Sequence, residues 1–268
     1  MTIADKLELL KSQGRKALTP FSTVADPDWD TSLEIFRGFG EWGADFMELG
    51  IPYSDPLMDG PTLQVSYTRT LANGFRVASL PKFVEQVRAG TDTPMLVMTC
   101  FNPVFKYGVE AFFRDTASAG VDSLLITDLP PEEWDDKMDL ARRHGLGTIF
   151  LVTPATPAAR IKAIGALSRP FVYCVSKAGV TGEGGGLPAE LEAYTRSVRE
   201  GVPAPVLIGF GISTPAQARL AAGLADGVII GSAIAKIIEK NLQSRDKIIP
   251  EIGAFISSVR RALDEPAT

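Results

Sequence analysis

The sequence is poor in the residues that build metal and redox sites. It holds two cysteines, Cys100 and Cys174, far apart and in no metal-type spacing, and one histidine, His144. That supply argues against a zinc or iron centre and fits a reducing cytosol. There is no basic run, and 32 acids outweigh 27 lysines and arginines for a net charge of -5. Nucleic acid and anionic membrane surfaces are therefore poor partners. Nor does the chain open on a leader: acids and lysines interrupt the leucines of MTIADKLELLKSQGRK, which reads as neither a signal peptide nor a membrane span. His144 closes Arg142-Arg143-His144-Gly145, the basic end of a helix followed by a glycine stop, and reads as a solvated terminal residue.

What is present is apolar bulk, 45% of 268 residues, enough for one large core. Residues 3–14 read as an amphipathic helix with Ile3, Leu7 and Leu10 on one face, suited to plug the bottom of a barrel. Apolar strands follow near 17–24, up to Glu48, and over 95–98, 123–126, 147–152, 170–175, 205–209 and 227–230. Helical stretches separate them: from Asp28 to about 42, 62–73 and 79–90, 108–119, 131–144, to about 167, 188–200, and from 215, with two more after the last strand. CFNPVFKYG, after the third strand, reads as a loop around Asn102-Pro103. Eight alternations with strands apolar throughout fit a closed α/β (β/α)8 (TIM) barrel better than an open doubly wound sheet. The expectation is one barrel domain over 1–268, with an extra helix at the N-terminus and extra helices around strands 2 and 8.

The polar segments after the strands lie on the face where such barrels carry their sites. In GADFMELGIPYSDPLMDGP, the apolar Phe46-Met47 leads to Glu48, and Asp59 follows on a loop stiffened by Pro52, Pro56 and Pro61. A glutamate at the end of a buried strand has little water around it, which raises its pKa toward the range useful for proton transfer. Two carboxylates on one rigid loop suggest acid–base work. The plain alternative is that Asp59 caps the next helix and Glu48 is salt-bridged. Gly209-Phe210-Gly211-Ile212-Ser213 after the seventh strand and Gly231-Ser232 after the eighth stand where barrels commonly bind phosphate. Gly182 and Gly184-Gly185-Gly186 give the segment after the sixth strand the hinges of a lid, or those of a surface loop.

Taken together, ELGIPYSDPLMDGP, MTCFNPVFKYG, SKAGVTG, GFGIS and DGVIIGSAIAKIIEK resemble the α subunit of tryptophan synthase, in order over about residues 3–262. The resemblance implies retro-aldol cleavage of indole-3-glycerol phosphate to indole and glyceraldehyde 3-phosphate, with no metal or organic cofactor in this chain. It makes Glu48 the acid/base that protonates the indole ring carbon and Asp59 the carboxylate that holds the indole N–H. Phe21, Tyr173 and Phe210 match positions around the indole, and Gly182, Gly211, Gly231 and Ser232 match phosphate binders. Thr181 matches a lid position that helps order Asp59. The implied partner is a pyridoxal-phosphate-bearing β subunit in a cytoplasmic α2β2 enzyme. Tyr53, Leu57, Met58 and Phe105 are expected to expose an apolar surface to it. Cys100-Phe101 stands where many relatives have two tyrosines, Ala25 where glycine is frequent, and Gly184 to Gly186 where the lid is more polar. A stand-alone lyase releasing free indole is a second reading, and a catalytically silent allosteric subunit a third, against which the intact Glu48 and Asp59 argue.

Overall fold

The computed structural model describes residues 1–56, 59–176, 189–209 and 211–265. The chain opens with α1 (Ile3–Ser12), which starts on a reciprocal cap: Asp5 N–H donates to the Thr2 hydroxyl while the Asp5 carboxylate accepts from Thr2 N–H. Then come β1 (Ala17–Thr23), α2 (Trp29–Glu41, capped by Asp28), β2 (Met47–Gly50), α3 (Pro61–Ala72) and α4 (Leu80–Arg88). The middle of the chain supplies β3 (Met95–Thr99), α5 (Phe101–Tyr107), α6 (Val109–Ala119), β4 (Ser123–Ile126), α7 (Lys137–Arg143), β5 (Gly147–Val152), α8 (Ala158–Leu167) and β6 (Val172–Val175). The last units are α9 (Ala189–Gly201), β7 (Val206–Gly209), α10 (Pro215–Leu224), β8 (Gly227–Ile230), α11 (Ser232–Lys240) and α12 (Ile248–Asp264).

All eight strands pair in parallel with their sequence neighbours, and β8 closes on β1 with Ala17 opposite Gly227. Side chains alternate across a strand, so each strand feeds two cores. In β2, Met47 and Leu49 join the outer core beneath the helices, whereas Phe46, just before the strand, joins the inner one. That inner core also takes Leu96, Leu125, Ile149, Leu207 and Ile229 from other strands, Phe171 from just before β6, and Ile3, Leu7 and Leu10 from α1. The N-terminal helix thus seals the amino end of the barrel. Burial is dense enough to exclude water from the barrel axis, and the carboxyl end of the strands is left for chemistry.

Three details differ from the sequence reading. Glu48 does not end its strand; β2 runs two residues further, to Gly50. The segment CFNPVFKYG is a helix, α5, because Pro103 falls in its first turn, where a missing N–H breaks no intrahelical bond. The Phe101 N–H donates to Asp128, and Gly108 at φ +96° turns the chain from α5 into α6. The helix expected over 131–144 is a 3-10 turn, Pro131–Glu133, followed by the shorter α7. Asp135 at φ +40° interrupts it, while Trp134 is buried against Phe113 and Phe150. Ala25, at φ +61°, holds a left-handed backbone that glycine adopts more easily, so the residue that departs from the family occupies a conformation suited to the family's glycine. No helix among the described residues is long and apolar enough to cross a membrane.

Candidate active site

Glu48 takes the inward parity of β2 and pairs in register with Phe21 of β1 and Leu96 of β3. It is 0% exposed, and neither carboxylate oxygen finds a hydrogen-bond partner among the described residues. An ionised carboxylate in that position is prohibitively costly, so the group neutralises instead. Burial, and secondarily the charge of Asp59, pushes its pKa up to about 8. At neutral pH Glu48 is therefore an acid holding a proton. Among the described residues Glu48 has no salt-bridge partner, which argues against the salt-bridged alternative.

Asp59 is not a helix cap. Gly60 occupies that position for α3 without a side-chain bond, and Pro61 follows at the first helical position. The main chain of Asp59 is held at both ends: its N–H donates to the Pro56 carbonyl at 3.2 Å and its carbonyl accepts from Gln64 Nε2 at 2.8 Å. Burial raises the Asp59 pKa to about 6, and the hydroxyl of Tyr67 on α3 works the other way. Two neighbouring carboxyl groups thus have acidities separated by their surroundings. Near pH 7 one is protonated and the other ionised, the condition for assigning an acid and an anion stabiliser to different residues.

A cavity with about 520 Å³ of empty space opens at this end of the barrel. Phe21, Asp59, Tyr173, Gly211, Gly231 and Ser232 line it together with Leu63, Met98, Ile212 and Ile229. Glu48 lies beside the cavity rather than in its wall, close enough that its charge acts on Tyr67 and Tyr173. Three glycines make room for the aromatic walls. A Cβ at Gly50 would lie 2.3 Å from the Phe21 ring, one at Gly231 2.8 Å from it, and one at Gly209 2.2 Å from the Tyr173 hydroxyl oxygen. Gly211 has φ +79°. Gly231 and Ser232 begin α11, whose first turn offers unpaired N–H groups and the positive end of the helix dipole to an anion.

Of the residues singled out from sequence, Thr181, Gly182 and Phe210 lie outside the described residues, as do Gly184 to Gly186, Leu57 and Met58. Met98 and Ile229 escaped notice because apolar residues in apolar strands carry no chemical flag; inward parity would have found them. Leu63 and Tyr67, four apart on α3, were legible as one helix face but not as part of the site. A larger hollow lies at the opposite end of the barrel, among Arg15, Arg219, Asp264 and Glu265. Its two arginines are already paired with its two acids, Arg15 with Asp264 and Arg219 with Glu265.

A closed parallel barrel with two buried carboxyl groups of different acidity at the carboxyl end of its strands is the arrangement of a barrel enzyme site. The chain belongs to the tryptophan synthase alpha chain family, whose family model matches residues 7–263. It is accordingly a carbon–carbon lyase of L-tryptophan biosynthesis. It is 41% identical over 261 residues to the tryptophan synthase alpha chain of Thermoanaerobacter sp. (strain X514), covering 97% of this chain and 99% of that one. With the Geobacter sulfurreducens alpha chain it shares 42% identity over 261 residues, 97% of this chain and 98% of the relative. The crystal structure of the alpha subunit from Legionella pneumophila str. Paris superposes with a TM-score of 0.90 at 34% identity, covering 98% of this chain and 99% of that chain. The aminoacrylate-bound tryptophan synthase of M. tuberculosis gives 0.87 at 31%, covering 98% of this chain and 100% of that chain.

The buried acid has a consequence for stability. The folded-state pKa of Glu48, about 8, stands above its unfolded value of 4.5, so its contribution is fully present below pH 4.5 and is lost as pH rises through 8. Glu48→Gln, which never ionises, will melt higher than the wild type by a margin that grows from pH 5 to pH 9. Calorimetric Tm across that range checks this, and a margin independent of pH contradicts it.

Proposed function

We propose that Glu48 and Asp59 carry the cleavage of indole-3-glycerol phosphate to indole and glyceraldehyde 3-phosphate. Indole leaves as a stable molecule only after its ring carbon is protonated. Glu48, holding a proton at neutral pH, delivers it to that carbon after a rotation of its side chain toward the cavity. Positive charge then grows on the ring nitrogen, and the ionised Asp59 accepts the N–H and stabilises that charge. As the carbon–carbon bond breaks, its electron pair returns to the ring, the adjacent hydroxyl becomes the aldehyde, and the now ionised Glu48 takes the hydroxyl proton. The cycle leaves Glu48 as it began. Phe21 and Tyr173 flank the indole, with Phe210 completing the enclosure. Gly211, Gly231 and Ser232, with Gly182, hold the phosphate through backbone N–H groups and the Ser232 hydroxyl, and Thr181 orders Asp59 when substrate is bound. The observation that carries this reading is the pair of split acidities beside a cavity whose far wall is the start of α11.

The whole chain acts as one barrel domain in the cytoplasm, and its partner is a β subunit. We assign the assembly as α2β2 and place pyridoxal phosphate in the β subunit, leaving this chain without a cofactor of its own. Phe105 on α5 supports a docking face near the cavity: it is 67% exposed and packs on the half-buried Phe101. An exposed aromatic of that size suits an interface. Tyr53 contributes less than the sequence suggested, being half-buried and accepting from Asn102. Because Asp59 and α5 follow adjacent strands, a docked partner can bias the loop that carries the carboxylate, and substrate then tightens the complex by the same factor.

Glu48→Gln keeps the shape but cannot transfer the proton, and it will lower the cleavage rate about 10²–10⁴-fold. A steady-state rate within a few-fold of wild type would remove Glu48 from the mechanism. Titrating purified β subunit into the isolated chain will raise cleavage at least about tenfold, ~1.4 kcal/mol of barrier. Full activity alone, with no complex by sedimentation, would favour the stand-alone lyase.

A further inference from the structure

We infer that Asp26 and Arg69 are positioning residues for this reaction, a buried clamp that fixes α3 to the end of β1 and, through that helix, sets where Asp59 stands. The inference rests on the role of Asp59 proposed above. Arg69 grips Asp26 with two bonds: Nε donates to Oδ1 at 2.6 Å and Nη2 to Oδ2 at 2.8 Å. The Ser66 hydroxyl donates to Asp26 Oδ2 at 2.6 Å and lies 2.7 Å from the Thr23 hydroxyl oxygen. At the end of the helix, Asn73 Nδ2 donates to the Pro27 carbonyl at 2.8 Å. Asp26 is 0% exposed, and Thr23 and Ser66 are buried with it. Positions 66, 69 and 73 fall on one side of α3, so a single short segment, Thr23 to Pro27, holds the helix along that side.

The clamp stands just behind the cavity wall. Phe21, two residues before Thr23 on β1, and Leu63, three before Ser66 on α3, both line the cavity beside Asp59 and Gly60. Thr23, Asp26, Ser66 and Arg69 are absent from that wall, so they act on substrate only through what they hold. Asp59 precedes α3 by two residues, and Gln64 of that helix donates Nε2 to the Asp59 carbonyl at 2.8 Å. A tilt or rotation of α3 therefore carries Asp59 with it.

Stability alone is a poor account of such a clamp. Taking an arginine and an aspartate out of water costs about as much as their attraction returns, and apolar residues of similar volume often hold a helix as well. What the pair supplies is direction, because a planar guanidinium forked onto a carboxylate fixes angle as well as distance. Direction matters at a reacting centre, where a misplacement of about 1 Å can cost ~10²-fold in rate.

The test compares wild type, Arg69→Lys, Ser66→Ala and Asp59→Asn by kcat and KM for indole-3-glycerol phosphate, well below the melting transition that circular dichroism records for each chain. Arg69→Lys keeps the charge that neutralises Asp26 but loses the fork. Ser66→Ala deletes one oxygen from α3 and leaves the ion pair in place. We expect kcat to fall about tenfold in Arg69→Lys and about threefold in Ser66→Ala. KM should change less than about twofold in both, because the phosphate is anchored from α11 on the other side of the cavity. A purely structural clamp would lower the melting temperature and leave kcat per folded chain unchanged. Should Arg69→Lys fail to fold, Ser66→Ala decides by the same split. Folded variants with wild-type kcat, beside an impaired Asp59→Asn, overturn the positioning role alone, as does a raised KM with kcat intact. A fully active Asp59→Asn removes Asp59 from the reaction, and overturns the inference through the reading on which it rests.

Discussion

A carboxylic acid with no hydrogen-bond partner among the described residues, sealed inside a parallel barrel, is the constraint on which the rest of the site depends. Glu48 has its acidity because β2 turns it inward, because the surrounding strands are apolar, and because α1 closes the amino end of the barrel. None of these contacts is a bond to Glu48 itself. What they share is the exclusion of water, which makes the neutral acid the stable form. Asp59 adds to the effect, since its negative charge opposes a second one nearby. The protein therefore holds in reserve a proton that an exposed glutamate would lose, and accepts a less stable fold at alkaline pH in exchange.

The opposite treatment of Asp59 completes the site. It lies nearer the surface, is fixed through its own main chain, and is less deeply buried, so it ionises at a lower pH than Glu48. Proton donor and counter-charge are thus separated by environment rather than by residue type. The start of α11 supplies a third electrostatic element on the other side of the cavity, where a phosphate would anchor the substrate and bring the ring toward the carboxylates.

Much of this was legible in the sequence because parallel barrels write themselves plainly. Eight apolar strands, an amphipathic first helix and polar segments after the strands gave the architecture, and β8 was placed to the residue over Gly227–Ile230. Glu48 stood out as an acid at the end of an apolar strand, and Asp59 as a second carboxylate on the stiff loop that follows it. Two of the misreadings come from using proline and apparent periodicity as local signals. Pro103 looked like a loop residue but sits in the permissive first turn of α5. The pattern over 131–144 looked continuously helical, but the buried Trp134 and the left-handed Asp135 interrupt it. The wall residues Met98 and Ile229, and Tyr67 behind Asp59, carry no signal of their own, because their importance arises only from what the closed barrel sets beside them.

The central claim is that Glu48 is protonated at neutral pH before any substrate binds. Infrared difference titration of the free chain, with Glu48→Gln as the reference that removes the band, measures this directly. The account predicts a protonated-carboxyl band assigned to Glu48 that persists at pH 7 and disappears with a midpoint near 8. A midpoint near the ordinary glutamate value of 4.5 would contradict it.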